Sequence, residues 1–159
     1  MEHLIEDSTI IEGSVGKGTT VWHNAHIRGI VGDNCVIGRG VYIDADVTIG
    51  NFCKIQNYAC IYGPSTIGDA VFVGPMVMVL NDKYPRATSE TTGRLLQQGE
   101  WHRVGAEIAS GVSIGAGAII MPGITIHCES LIGAGAIITR DVLPRTRVFG
   151  APGYESRRL

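Results

Sequence analysis

Two short stretches of the chain, Asn81-Asp82 and Trp101-His102, carry side chains that can orient an attacking group and relieve it of a proton. A general base needs a carboxylate or an imidazole within hydrogen-bond reach, so Asp82 and His102 are candidates by type and Asn81 is a candidate orienting partner. The ordinary alternative for Asn81-Asp82 is turn chemistry, because Asn and Asp bond readily to the backbone that follows them. For His102 the alternative is a bystander in a loop. Tyr84 and Arg86 follow closely, and the polar stretch between the two sites contains Pro85 and Gly93. An excursion loop over about 80–103 is therefore expected, and long loops on rigid scaffolds often carry function.

A second concentration is cationic. Five of the ten arginines, Arg140, Arg145, Arg147, Arg157 and Arg158, fall in the last part of the chain. Guanidinium groups suit phosphate recognition, with a solvated basic tail as the alternative. The whole chain carries a formal charge of −2, so it lacks the basic field of a nucleic-acid binder. His23, His26, His102 and His127 are spread without the ladder spacing a three-histidine zinc site needs, and no metal is expected. Cys35, Cys53, Cys60 and Cys128 form no CxxC pair, sit among aliphatics and read as structural thiols.

The elements that position these groups follow from a period. The 159 residues suit a single domain, 1–159, and hydrophobics make up 45% but aromatics only 6%, so the core must be built from small and branched aliphatics. Aliphatics recur every six positions from Val31 through Ile37, Ile43, Ile49, Ile55, Ile61, Ile67 and Val73 to Val79, and again from Ile108 to Ile138. Four residues behind them come small or β-branched residues such as Cys35, Val41, Val47, Cys53 and Ala59. A period of six fits neither a helix nor a plain alternating strand; the chain must turn every six residues. The 22 glycines match many regular tight turns.

Two interruptions break the period. Ile27 to Val31 is a step of four, so one early corner must be pinched, which reads as distortion and not as function. After Val79 about seventeen residues leave the frame before it resumes near His102. The start, MEHLIEDSTI, has no basic-then-apolar leader, and the apolar stretch 70–80 is broken by Gly74 and Pro75. A cytoplasmic chain without membrane insertion is expected.

The repeats Ile37-Gly38, Ile49-Gly50, Ile67-Gly68, Val73-Gly74, Ile114-Gly115 and Ile132-Gly133 resemble the hexapeptide-repeat family. That resemblance implies an all-β fold, a left-handed parallel β-helix with one extruded loop, eighteen residues to a turn and about eight turns. Ile37, Ile55 and Val73 should then stack in one column. A helix would fit only in the C-terminal tail, about 143–159. KIQNYA together with NDKYPRA narrows the resemblance to N-acetyltransferases that acylate nucleotide-linked 3-amino sugars, nearest to those acting on a UDP-linked 2-acetamido-3-amino-2,3-dideoxyglucuronate.

What the resemblance implies is acetyl-CoA as co-substrate, a role in cell-surface polysaccharide biosynthesis, and a homotrimer with pantetheine between subunits. Ala118, Ala136, Gly150 and Pro152 would line the coenzyme, with Arg157 and Arg158 at its phosphates. Asn81, Asp82 and His102 would serve the reaction, Tyr84 and Arg86 the sugar, and Lys54, Gln56, Asn57 and Tyr58 the nucleotide. The chain departs from the pattern at Arg28-Gly29-Ile30, at His127, and after Gly150-Ala151-Pro152, where Gly153-Tyr154-Glu155-Ser156 delay the basic residues. Competing readings are a sugar O-acetyltransferase, a non-catalytic hexapeptide scaffold and, least favoured, a γ-type carbonic anhydrase.

Overall fold

In the computed structural model, residues 4–97 and 99–158 are described, the side chains of 155–158 excepted. Among them there is no helix, and the strands, nearly all two residues long, form three sheets, parallel apart from one C-terminal pair, that are the sides of a triangular prism. The seven-stranded side runs from Ile10–Ile11 to Ile137–Ile138, the six-stranded side from Ser14–Val15 to Thr125–Ile126, and the eight-stranded side from Thr20–Val21 to Thr146–Phe149 and Tyr154–Arg158. About eight turns make the left-handed β-helix of hexapeptide repeats.

The expected column is present: Ile37 pairs with Ile55 and Ile55 with Val73. The second residue of each short strand points inward, and Ile37, Ile43, Ile49, Ile55 and Ile61 are fully or almost fully buried. Small residues fill the corners, because a prism this narrow admits one branched aliphatic and one small residue per side. Cys35 and Cys53 are two of these fillers, both buried, with the Cys53 amide donating to Cys35 Sγ at 3.3 Å. Hydrogen bonding between them draws the Cys35 thiol down to about 7 and pushes Cys53 upward. The polar filler Ser65 is satisfied, donating to the Tyr62 carbonyl at 2.6 Å and accepting from the Ala106 amide.

The structure corrects three sequence expectations about the coil. Shortening begins earlier than Ile27: Ile10 pairs with His26 and His26 with Tyr42, steps of 16 where later turns take 18, so two successive turns share the pinched corner. The excursion is longer, since Thr66 pairs with Thr48 on one side and with Glu107 on the other, a step of 41 in place of 18, adding 23 residues. His102 is thus no slot of the frame; the coil resumes at the buried Ala106. Among the described residues the C-terminal segment forms no helix. Tyr154–Arg158 folds back antiparallel on Thr146–Phe149 instead, closing the last turn.

Candidate active site

The corner between the seven-stranded and six-stranded sides is where the coil is least regular. Its successive turns contribute Arg28-Gly29, then Asp44 to Val47, then Tyr62 to Ser65, then the whole excursion from Asn81 to Gly105. At Gly29 a Cβ would lie 2.4 Å from the Val47 carbonyl oxygen and 2.9 Å from that of Asp44, so only glycine lets the pinched corner seat. The pinch brings Arg28 onto Asp44 at 3.0 Å, beside a cavity of about 800 Å³ that the loop residues Leu95, Leu96 and Trp101 also line.

Asp44 is the most heavily bonded side chain of this cavity. Its Oδ1 accepts from Arg28 Nη1 at 3.0 Å, from the Tyr42 hydroxyl at 3.0 Å and from the Ala45 amide at 2.8 Å. Arg28 also bonds Glu12 at 3.1 Å, and its hydrogen bonds with Tyr42 first and Glu12 second raise it further above the ordinary guanidinium value. Tyr42 and Tyr62 pack with ring centroids 5.6 Å apart, and burial chiefly pushes the Tyr62 phenol upward, so it stays neutral. His26 stacks edge-on against Tyr42, also at 5.6 Å.

Asn81 leaves the coil here and donates its side-chain amide to the Gly63 carbonyl, while its own carbonyl accepts from Val104, tying the two ends of the loop together. The Asp82 carboxylate accepts from the Tyr84 amide at 3.0 Å, the local turn bond that its type favours. Arg103 reaches Asp46 at 3.1 Å. Further out the loop is a built hairpin: Ser89 N–H donates to Arg94, Leu96 to Ala87, and Glu100 grips Arg94 and the Gln97 amide. Arg94 chiefly holds the Glu100 carboxyl below the usual carboxylate range.

The structure thus gathers Asn81, Asp82 and Arg86 around the large cavity together with Arg28, Tyr42, Asp44 and Tyr62. A second cavity of about 290 Å³ shares Asp82 and Arg86 and adds Tyr84 and His102. The remaining expected residues lie elsewhere. Lys54 points outward from the eight-stranded side, and Gln56, Asn57 and Tyr58 form a different corner, where Asn57 accepts from the Arg39 amide and Tyr58 lies against Gly40. Ala118 and Ala136 are fully buried inside the prism with their carbonyls bonded to Met78 and Ile119, so their side chains offer a coenzyme no contact. The Gly150 carbonyl accepts from Ile137, and Pro152 is exposed beside it. The side chains of Arg157 and Arg158 lie outside the described residues.

A shallow apolar recess of about 320 Å³ lies on the outer face near the C-terminus, between Phe72, Leu131 and Phe149, with Gly115 and Gly133 at its floor. Arg28, Tyr42, Asp44 and Tyr62 were not singled out from sequence. Their signal was available: each lies on or beside the residue that follows or precedes a buried aliphatic, and Arg28, Asp44 and Tyr62 are spaced by one turn each at the interrupted corner.

Models for the bacterial transferase hexapeptide (six repeats) match residues 29–63 and 46–81, and the hexapeptide repeat of succinyl-transferase matches 105–140, together more than half of the chain. Galactoside O-acetyltransferase of Escherichia coli (strain K12) is 31% identical over 92% of this chain and 64% of its own. Nodulation protein L of Rhizobium meliloti (strain 1021) is 34% identical over 88% of this chain and 67% of its own. Across the first curated relatives, the chain spans from 49% to 67% of their length. Among solved structures, a mutant of AntD, an N-acyltransferase from Bacillus cereus, in complex with dTDP and coenzyme A, superposes with a TM-score of 0.72 at 20% identity, covering 94% of this chain and 85% of that one. The repeats, their register and these matches place the chain in the hexapeptide-repeat transferase family.

Proposed function

We propose that the chain is an acetyl-CoA-dependent N-acetyltransferase acting on the amino group of a nucleotide-linked 3-amino sugar. The observation that carries this reading is the large cavity at the loop exit, where carboxylate and amide groups of Asp44, Asn81 and Asp82 face an aromatic wall of Tyr42, Tyr62 and Trp101. Aromatic and aliphatic walls suit the apolar faces of a sugar or base, and the acceptors suit an amine. The named ligands of structures with this fold, dTDP-4-amino-4,6-dideoxyglucose with coenzyme A and GDP-perosamine with CoA, are of the same chemical class.

In the reaction the neutral amine attacks the thioester carbonyl carbon, the C–S bond breaks, the coenzyme leaves as the thiol, and the nitrogen gives up one proton as the amide forms. Amide formation from a thioester is downhill, so holding the two reactants in attack geometry supplies much of the acceleration. Asn81, whose amide nitrogen is already bound to Gly63, presents its Oδ1 to orient the amine, and Asp82 takes the proton. The coenzyme lies against the outer face near Phe72, Leu131 and Phe149, in a groove completed by a neighbouring copy of a homotrimer. Lys54, Gln56, Asn57 and Tyr58, remote from the cavity in one chain, would meet the nucleotide across such a boundary.

A second reading, sugar O-acetylation, is favoured by two relatives named galactoside O-acetyltransferase and by His102, a base by type, sharing a cavity with Asp82. The test is acetyl transfer to a panel of UDP- and dTDP-linked 3- and 4-amino sugars. Transfer to at least one amine supports the proposal; transfer to hydroxyl sugars alone, or no coenzyme binding, overturns it.

A further inference from the structure

The two oxygens of Asp44 are not equivalent. Its side chain is 14% exposed; Oδ1 has three close donors, whereas Oδ2 has one long one, the Gly63 amide at 3.4 Å. The carbonyl of the same residue accepts from Asn81, so Asp44 and Asn81 flank Gly63 from its two ends. Among the described residues nothing donates to Asn81 Oδ1. Two acceptors, Asp44 Oδ2 and Asn81 Oδ1, therefore border the cavity with spare lone pairs. Arg28, Arg86 and Arg103 balance Asp44, Asp46 and Asp82 around the cavity, but Arg28 is shared between Asp44 and Glu12 and Arg103 is held by Asp46. The neighbouring Tyr62 phenol stays neutral.

Resting on the reading above, we infer that Asp44 is the specificity-determining residue that recognises the substrate amine as an ammonium ion, with Arg28 and Tyr42 positioning its carboxylate. An ammonium has several donors and no acceptor, matching a pocket of two acceptors, whereas a hydroxyl in its place brings one donor and no charge. The cavity thus separates an amino sugar from its hydroxyl counterpart by charge at the binding step. After binding, the ammonium's extra proton is lost to solvent; the neutral amine then attacks, and the proton it gives up as the amide forms passes to Asp82, which returns it to the leaving sulfur.

The experiment is calorimetric binding, with coenzyme A saturating, of two matched probe pairs. One is UDP-linked 2-acetamido-3-amino-2,3-dideoxyglucose against UDP-N-acetylglucosamine; the other is dTDP-4-amino-4,6-dideoxyglucose against dTDP-6-deoxyglucose. The wild-type protein should bind an amine about 10-fold to 100-fold more tightly than its partner, the scale of a charge-assisted hydrogen bond. Asp44→Asn should bring the pair to within about 3-fold, while Glu12→Gln, which leaves Asp44 in place, should keep the preference. Wild-type protein alone gives an independent reading that needs no variant to fold: amine affinity should fall between about pH 6 and pH 9 as the ammonium deprotonates, while the hydroxyl partner's stays flat. Equal binding of a pair by wild type, a flat pH response, or an unchanged preference in a folded Asp44→Asn protein would overturn the inference alone. No binding of any of the four probes would overturn the amino-sugar reading itself.

Discussion

Gly105 is where the excursion lands back on the prism, and it tests whether the loop base is locked by backbone contact. A methyl added there would lie 1.2 Å from the Pro64 carbonyl oxygen, 2.1 Å from its carbon and 2.7 Å from the Ser65 nitrogen, all of them backbone atoms that cannot swing aside. Restoring ordinary contact requires a shift of about 2 Å. That shift strains the Ala106 amide bond to Ser65 and the Thr66 amide bond to the Ala106 carbonyl, now 3.1 and 3.0 Å. Overpacking at about 1–3 kcal/mol and about 1 kcal/mol for each of the two weakened bonds give roughly 3–5 kcal/mol for Gly105→Ala. At this chain length that is a fall in melting temperature of about 6–20 °C. Gly117→Ala is the control: its φ is +65° but nothing lies within 4 Å of a Cβ, so it bears only the left-handed backbone cost of about 1 kcal/mol. Thermal denaturation of the two variants by circular dichroism is the assay, with acetyl transfer measured beside it, since moving the loop base moves Trp101 and Arg103. Equal melting temperatures, or a Gly105→Ala protein as stable as wild type, would refute the reasoning.

Asn81→Ala and Asp82→Ala should each lower kcat by roughly 10-fold to 1000-fold with coenzyme affinity unchanged, as steady-state kinetics would show; normal turnover in both moves the reaction centre away from the loop exit. His102→Ala should leave transfer to an amine near normal, because the amine needs positioning more than a histidine base; a loss beyond about 100-fold would assign His102 that role. Arg157→Ala with Arg158→Ala should raise the apparent coenzyme constant more than it lowers turnover, a split that initial rates at varied acetyl-CoA would reveal. Ile55→Asp should abolish folding, since an unpaired carboxylate in a fully buried slot costs several kcal/mol; a cooperative melt of that variant would contradict the packing described.

The coil is legible because its rule repeats: one buried aliphatic and one small filler per side recur in sequence as they stack in space, so the six-residue period alone aligns Ile37, Ile55 and Val73. The same rule hid the site. Arg28, Asp44 and Tyr62 occupy outward slots, where the period constrains nothing; Arg28 reaches Asp44 across a shortened turn that packs over Gly29, and Tyr62 stands one regular turn beyond Asp44. Ala118 and Ala136 illustrate a related ambiguity: small residues fill the inside of a narrow prism as readily as they border a ligand, and the four-behind spacing puts these two side chains inside. The loop was visible as a break, but its landing point was not. His102 stands six residues before Ile108 by chance, and only the pairing of Glu107 with Thr66 shows that the coil resumes later.

The most direct test of the account is a competition for one acetyl group. Protein and acetyl-CoA are incubated with equal amounts of UDP-linked 2-acetamido-3-amino-2,3-dideoxyglucose and UDP-N-acetylglucosamine, and again with the dTDP-linked 4-amino and hydroxyl pair, and the products are read by mass spectrometry and by lability to hydroxylamine. The account predicts a hydroxylamine-stable amide on the amino sugar of at least one pair and no acetyl on either hydroxyl partner. A hydroxylamine-labile ester on a hydroxyl sugar, with the amines untouched, would contradict it.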